Sequence, residues 1–252
     1  MRCRTIHITL LVSATIFTAQ LASAACTNAS LVGPFGYFHG RPGGAGATTK
    51  ALVGQMIADG LGNVSGTWTL STNGAISTGV FAGTYSIAPN CTGSMILNNE
   101  IAPVALYNIV LDNAHHGFQM IESDNGTAQP GFGIARGTIV CGLPGKKQTL
   151  ATNFLGSIFP APVMIEAIVG QVKLDGKGNL SGIETVSVGG TISAVQFTGT
   201  YTENPDCLGT VQITSPAFPA PANFNAVVVN SGKELLLIQT DNNTEVTGTA
   251  QQ

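Results

Sequence analysis

Carboxylates are few in this chain, so a carboxylate set among large apolar side chains is a first candidate for chemistry. Glu122 shares the alternation of Phe118 and Met120, which predicts a strand whose apolar face also carries an acid. Gln239 follows two leucines in the same alternation. A polar group in such a place could point into a cavity and orient a ligand, or it could lie at a strand end and reach water. The sequence is compatible with both interpretations.

Other polar side chains recur in similar surroundings. Asn108 and Asn225 each lie in an apolar, strand-like run, where an amide could bind a ligand or tie strands together. Tyr85 and Tyr201 each follow a phenylalanine by four residues and share its face. The predicted ligand-binding residues are therefore Glu122, Gln239, Asn108, Asn225, Tyr85 and Tyr201.

These residues come in pairs because the chain repeats itself. Residues 81–91 read FAGTYSIAPNC, and residues 197–207, 116 positions later, read FTGTYTENPDC. The same spacing sets Phe38 against Phe154, and beyond the cysteines it becomes 117, which indicates a one-residue insertion. A tandem duplication predicts two domains, at residues 26–137 and 138–252.

The repeated letters also indicate the fold. In each copy the phenylalanine, glycine and tyrosine of FxGTY share one parity and the threonines the other, which is typical of a strand with one buried face. DGLGN at residues 59–63 and DGKGN at residues 175–179 predict hairpin turns. A calcium loop there is disfavoured, since calcium takes six or more oxygens and each loop offers two candidate side chains.

Each copy contains eight short strand-like runs and no long amphipathic helix. In the first copy these runs lie near residues 35–40, 50–58, 63–72, 77–87, 92–98, 105–112, 116–123 and 131–140. The predicted fold is all-β, with two tandem eight-stranded antiparallel β-barrels, because closure leaves no free sheet edges. The alternative is a pair of β-sandwiches.

The N-terminus predicts export. Residues 1–25 combine two arginines, an apolar run and small residues before Cys26, as in a signal peptide, so a secreted or periplasmic location is expected. The four cysteines that remain favour disulfides. The duplication selects Cys26 with Cys91 and Cys141 with Cys207, because each copy then closes its own loop. We expect no metal site, since there is no CxxC pair.

Several classes of partner are disfavoured. The formal net charge is −3, whereas nucleic-acid binding needs clustered cations. His39, His115 and His116 all lie in the first copy, so a site common to both copies cannot depend on them. Neither a GxSxG motif nor a glycine-rich phosphate loop before a helix is present, and no cofactor is expected. Beyond the signal peptide, we expect no transmembrane segment.

The succession of DGxGNxSG, FxGTY and APNC or NPDC resembles secreted bacterial proteins with the allene-oxide-cyclase-like barrel, a calycin-type fold. The resemblance covers both copies and implies an apolar interior, which holds a small apolar substrate for cyclisation in the enzymatic members. No catalytic residue of those enzymes matches this chain. The expected function is therefore non-catalytic binding of a small apolar molecule inside the barrels. The alternatives are a structural or surface-interaction protein with filled barrels, and a cyclase or isomerase.

Overall fold

The computed structural model describes residues 25–40, 49–98, 100, 103–112, 116–124, 129–137, 141, 147–159 and 162–252. Residues 1–24 of the predicted signal peptide and His115 lie outside these ranges. None of the helical segments in the described residues has the length and apolar content of a membrane span.

Both copies form closed antiparallel β-barrels of eight strands, as the sequence predicts. In each barrel the strands follow the chain order, and the first strand pairs with the last. The sandwich alternative is wrong, because closure through these first-to-last pairs leaves one sheet per copy. The first barrel consists of β1 Val32–Gly40, β2 Lys50–Asp59, β3 Asn63–Thr72, β4 Ala75–Ile87, β5 Thr92–Asn98, β6 Val104–Leu111, β7 Gly117–Glu122 and β8 Pro130–Ala135. The second consists of β9 Gln148–Ile158, β10 Met164–Leu174, β11 Asn179–Val188, β12 Thr191–Glu203, β13 Leu208–Thr214, β14 Ala222–Val229, β15 Glu234–Gln239 and β16 Thr244–Gln251.

Alternation along the strands fills each barrel with apolar side chains. Phe81 and Tyr85 are buried in the first barrel, and Phe197 and Tyr201 are buried at the same places in the second, as predicted. Glycines on neighbouring strands make room for the rings. A Cβ on Gly66 would clash with Phe81, and Gly182 stands in the same relation to Phe197. The repeated FxGTY therefore supplies the core of each barrel.

The two DGxGN segments form the predicted turns. Asp59 accepts hydrogen bonds from the backbone N–H groups of Leu61 and Asn63 at 2.7 and 2.9 Å, and from the Asn63 amide at 2.6 Å. These bonds, led by the Asn63 amide, lower the pKa of Asp59 to about 2. Asp175 makes the same bonds to Asn179. The carboxylates therefore organise the turns.

Each barrel is closed at one end by its own disulfide. Cys26 is bonded to Cys91, and Cys141 to Cys207, with Cα–Cα distances of 5.0 Å, which confirms the predicted pairing. In the first barrel a short 3₁₀ turn, Asn28–Ser30, covers the same end, where the Tyr85 hydroxyl donates a hydrogen bond to a main-chain carbonyl at 2.6 Å. We call this the disulfide end and the opposite end the distal end.

One sequence correspondence was wrong. His39 pairs with Leu52 in the first barrel, whereas Phe154 pairs with Ile168, the counterpart of Leu52, in the second. Phe154 therefore corresponds to His39, and both point inward, whereas Phe38 lies on the outer face. Matching two phenylalanines by letter shifted the first strand by one residue, and a one-residue shift exchanges the two faces of a strand.

The barrels pack against each other through an apolar cluster. The outer faces of β1, β2 and β8 meet those of β14 and β15, and a Cβ on Gly36 would clash with a Val229 methyl group. Close contact of this kind removes apolar surface from water on both sides. The cluster comprises Val53, Val227, Val229, Leu236 and Ile238, with Phe38, Phe132, Ile134 and Leu208 packed against it.

Hydrogen bonds surround this cluster. The Asn225 amide donates to Thr69 Oγ1 at 3.0 Å. Glu245 is fully buried and accepts hydrogen bonds from Thr49 Oγ1 at 2.8 Å and from the Asn73 N–H at 3.1 Å. Its second oxygen, Oε1, has no hydrogen-bond partner among the described residues. Burial raises the pKa of Glu245 to about 7, although the two hydrogen bonds oppose this.

Glu245→Gln should stabilise the protein above neutral pH. A carboxyl group whose pKa rises from 4.5 to about 7 on folding contributes stability below pH 4.5 and loses it as the pH rises through 7. The neutral amide avoids this loss, so at pH 8 the variant should exceed the wild type by about 1 to 3 kcal/mol. Urea unfolding at pH 4.5, 6 and 8 measures the difference. An offset that is the same at all three pH values would contradict the assignment.

Candidate functional site

Four polar side chains form a hydrogen-bonded group inside the first barrel, near the distal end. Glu100, in the segment between β5 and β6, accepts hydrogen bonds from the Tyr37 hydroxyl at 2.7 Å and the Tyr107 hydroxyl at 2.6 Å. His39 Nε2 lies 3.1 Å from the Tyr107 oxygen and 3.7 Å from Glu100 Oε2. None of the four residues is more than 4% exposed. We call them the Glu100 network.

The strand pattern and two glycines place the bulky members of the network. Tyr37 and His39 project inward from β1 on the same parity as Phe35. On the strands beside β1, a Cβ on Gly54 would clash with the Tyr37 ring, and a Cβ on Gly131 would clash with His39. Both rings therefore lie over residues that have no side chain.

The hydrogen bonds fix the direction of donation. Because the Tyr107 hydrogen is given to Glu100, the Tyr107 oxygen must accept from His39 Nε2, which therefore carries a hydrogen. Burial raises the pKa of Glu100, but the hydrogen bond and charge of His39 and the two hydroxyls outweigh it and hold the pKa below 4.5. Burial, followed by the Glu100 carboxylate, raises the pKa of Tyr37 and Tyr107. Glu100 is thus an anion held by neutral phenols.

Glu122 lies beside the network. It ends β7, pairs with Tyr107 across the sheet and is 5% exposed on the inward face. Burial raises the pKa of Glu122. Glu122 Oε2 and His39 Nδ1 are buried and have no hydrogen-bond partner among the described residues. One buried atom of the Glu100 network, and one of the carboxylate beside it, therefore have no partner among the described residues.

The second barrel lacks this network although it has the same fold. The His39 and Tyr107 rings, with centroids 5.4 Å apart, correspond to the Phe154 and Phe224 rings, 5.3 Å apart. The second barrel therefore has an aromatic pair at the same place, but without the ring nitrogens and the hydroxyl of the first. The strand registers match Tyr37 with Thr152, His39 with Phe154, Tyr107 with Phe224 and Glu122 with Gln239.

Different polar groups occupy the distal end of the second barrel. Glu166 and Glu184 point inward, and Ser215 Oγ donates to Glu184 at 2.7 Å. Burial, and then the charge of Glu184, raises the pKa of Glu166 to about 7. Gln239 donates to Asp241 at 2.9 Å, so its amide is used within the barrel wall.

The other predicted ligand-binding residues are scattered. Tyr85 and Tyr201 point inward at the disulfide end, away from Glu122, and the Tyr201 hydroxyl has no partner among the described residues. Asn108 lies on the exposed outer face of β6, and Asn225 lies in the contact between the barrels. Of the six, Glu122 alone lies beside the Glu100 network.

The described residues contain one group of three metal-type ligands, Cys141, Glu203 and Cys207, and its two sulfurs are joined in the disulfide. Comparison with protein-family models gives no match, and comparison with curated proteins gives none either.

Proposed function

We propose that the first barrel binds a small, mainly apolar molecule with a hydrogen-bonding head group, and that the second barrel is its structural counterpart. The supporting observation is the pair of buried atoms without partners, His39 Nδ1 and Glu122 Oε2. An unpaired buried polar group costs about 1 to 3 kcal/mol. The second barrel forms the same fold without this pair of atoms, so the fold does not require them to be buried unpaired. A ligand that forms hydrogen bonds with both atoms would offset the free-energy cost of burying them.

The two atoms define the chemistry of the head group. Glu122 Oε2 accepts hydrogen bonds, and His39 Nδ1 accepts in the neutral ring and donates in the charged ring, so a group that both donates and accepts fits the pair. Glu100 adds a negative charge nearby. A hydroxyl or amine head group suits this site, and a carboxylate would be repelled. Leu52 and Leu70, buried next to His39 in the sheet, supply apolar contacts for the rest of the molecule.

The structural alternative is a barrel filled by its own side chains, and both interiors hold a continuous apolar cluster. The barrels differ in that Phe154 and Phe224 of the second take the places of the polar rings of the first. A cyclase or isomerase would use the same site in the first barrel, and turnover of the bound molecule would distinguish it from binding. Closed eight-stranded antiparallel barrels support the allene-oxide-cyclase-like assignment, which we retain as a proposal.

Titration of the chain lacking residues 1–25 with 1-aminoanthracene, an apolar aromatic amine that fluoresces in apolar surroundings, tests this proposal. We expect saturable binding and competition by a long-chain alcohol, with little competition by the carboxylate of equal length. Glu122→Gln should weaken binding about 10-fold or more, because a hydrogen bond to a charged group contributes about 1.5 to 3 kcal/mol.

Glu184→Gln is the matched control, since it makes the same change at an inward carboxylate of the second barrel. It should leave the affinity unchanged. Equal losses in the two variants, or the absence of saturable binding, would refute ligand binding by the first barrel.

A further inference from the structure

The outer face through which the first barrel packs on the second occurs twice in the chain. Five outward-facing residues of β2 and β3 lie in it or next to it, and two of them donate or accept across the contact: Ser71 Oγ donates to the Thr244 carbonyl at 3.1 Å, and Thr69 accepts from Asn225. At the matching positions of β10 and β11 the second barrel carries the same five residues. We call this set the docking face; it comprises Ala51, Val53, Gln55, Thr69 and Ser71 in the first barrel, and Ala167, Val169, Gln171, Thr185 and Ser187 in the second.

The second copy of the docking face is uncovered. Ala51 and Val53 are buried by the contact between the barrels, whereas their counterparts Ala167 and Val169 are exposed, Val169 to 56%. Ile183 and Ile192, on the neighbouring strands, add exposed apolar surface beside it. The barrel wall does not need apolar residues here, since one face of an antiparallel sheet can meet water with polar side chains.

Part of the complementary surface is also present twice. In the second barrel, Asn225, Val227 and Ile238 on β14 and β15 receive the docking face. The first barrel has Asn108, Val110 and Ile121 at the matching positions of β6 and β7, where Val110 is 50% and Ile121 48% exposed. We call each set of three the receiving face. One chain therefore carries an unoccupied docking face on its second barrel and an unoccupied receiving face on its first.

We propose that chains associate head to tail, with the second barrel of one chain docking on the first barrel of another in the arrangement that joins the two barrels within a chain. In this contact Thr185 of one chain meets Asn108 of the next, as Thr69 meets Asn225 within the chain. The recurrence of both asparagines is then explained by the interface. A contact between two different faces is heterologous, so it produces closed rings or open filaments.

The contact between chains is weaker than the one within a chain. Phe38 and Phe132, which pack against the apolar cluster within the chain, correspond to Asn153 and Thr249. Leu236 corresponds to Gln119, and Val229 corresponds to Asp112. With less apolar surface to bury and no covalent link between the partners, association should be reversible and depend on concentration.

A complementation experiment tests the proposal. Val169→Lys places a charge on the free docking face, and Ile121→Lys does so on the free receiving face; both side chains are about half exposed, so folding should be unaffected. The average mass of the wild type should rise with concentration in analytical ultracentrifugation, whereas each variant alone should stay monomeric. An equimolar mixture of the two variants should form 1:1 dimers and nothing larger, because it contains one intact copy of each face. Leu61→Lys, in a turn outside both faces, should assemble as the wild type does.

A wild type that is monomeric at all concentrations would overturn the proposal. A mixture of the two variants that stays monomeric would also overturn it. So would either variant assembling by itself, since the contact would then not need both faces.

Discussion

Glu100→Ala should destabilise the first barrel by about 3 to 5 kcal/mol, the usual cost of removing one partner from a buried charged group. The substitution leaves the Tyr37 and Tyr107 hydroxyls without the acceptor that both use, and His39 without its nearest charge. Urea unfolding followed by tryptophan fluorescence measures the loss selectively. Trp68 is the chain's single tryptophan and packs against the interior of the first barrel.

The same loss should depend on pH. The pKa of Glu100 is below 4.5 in the folded protein, so its contribution is complete above pH 4.5 and disappears as the pH falls through the folded value. The wild type and Glu100→Ala should therefore converge in acid. Glu184→Ala is the control in the second barrel: among the described residues Glu184 accepts one hydrogen bond, from Ser215, so the cost should be smaller and the Trp68 transition should change little. A Glu100→Ala transition within 1 kcal/mol of the wild type would refute the network's role in stability.

The parts of the fold that recur were predictable from the sequence. Alternation located the strands, the glycines of DGxGN located two turns, and duplication selected the cysteine pairs, because each of these depends on local pattern or on repetition. The run predicted at residues 131–140 corresponds to β8, Pro130–Ala135, and its last three residues, 138–140, lie outside the described ranges. The bond between Asn225 and Thr69 was beyond this reasoning, since it exists only because two finished barrels pack together.

The Glu100 network was missed because the search favoured residues present in both copies. Residues that recur in both copies are the ones that the barrel needs to fold. A site present in one copy is formed by residues that differ between the copies. His39 was set aside because the second copy has no histidine, and the one-residue error at Phe154 hid its true counterpart. Glu100 lies outside the strands, so no alternation could mark it. The signal that was available is the exchange of Tyr107 for Phe224, next to the asparagine that recurs as Asn108 and Asn225.

That exchange leads to the prediction that separates function from stability. The triple variant His39→Phe, Glu100→Gln, Tyr107→Phe gives the first barrel the aromatic pair of the second and removes the buried charge. Replacing a buried ionic group by apolar residues of similar volume is often neutral or stabilising by about 1 to 4 kcal/mol. We therefore expect the Trp68 transition to stay in place or move to higher urea, and the binding of 1-aminoanthracene to be lost.

The second barrel provides the reciprocal control. Phe154→His with Phe224→Tyr introduces the two polar rings where the described residues offer no counterpart of Glu100, so the second barrel should lose about 2 to 5 kcal/mol through unpaired buried groups. In the triple variant the new phenylalanines at positions 39 and 107 should pack as Phe154 and Phe224 do, because Gly131 lies against His39 as Gly248 lies against Phe154. If the triple variant were instead as unstable as Glu100→Ala, the network would be structural. The buried polar groups of the network would then be explained by the stability of the first barrel. The proposal that this barrel binds a small molecule would lose its main support.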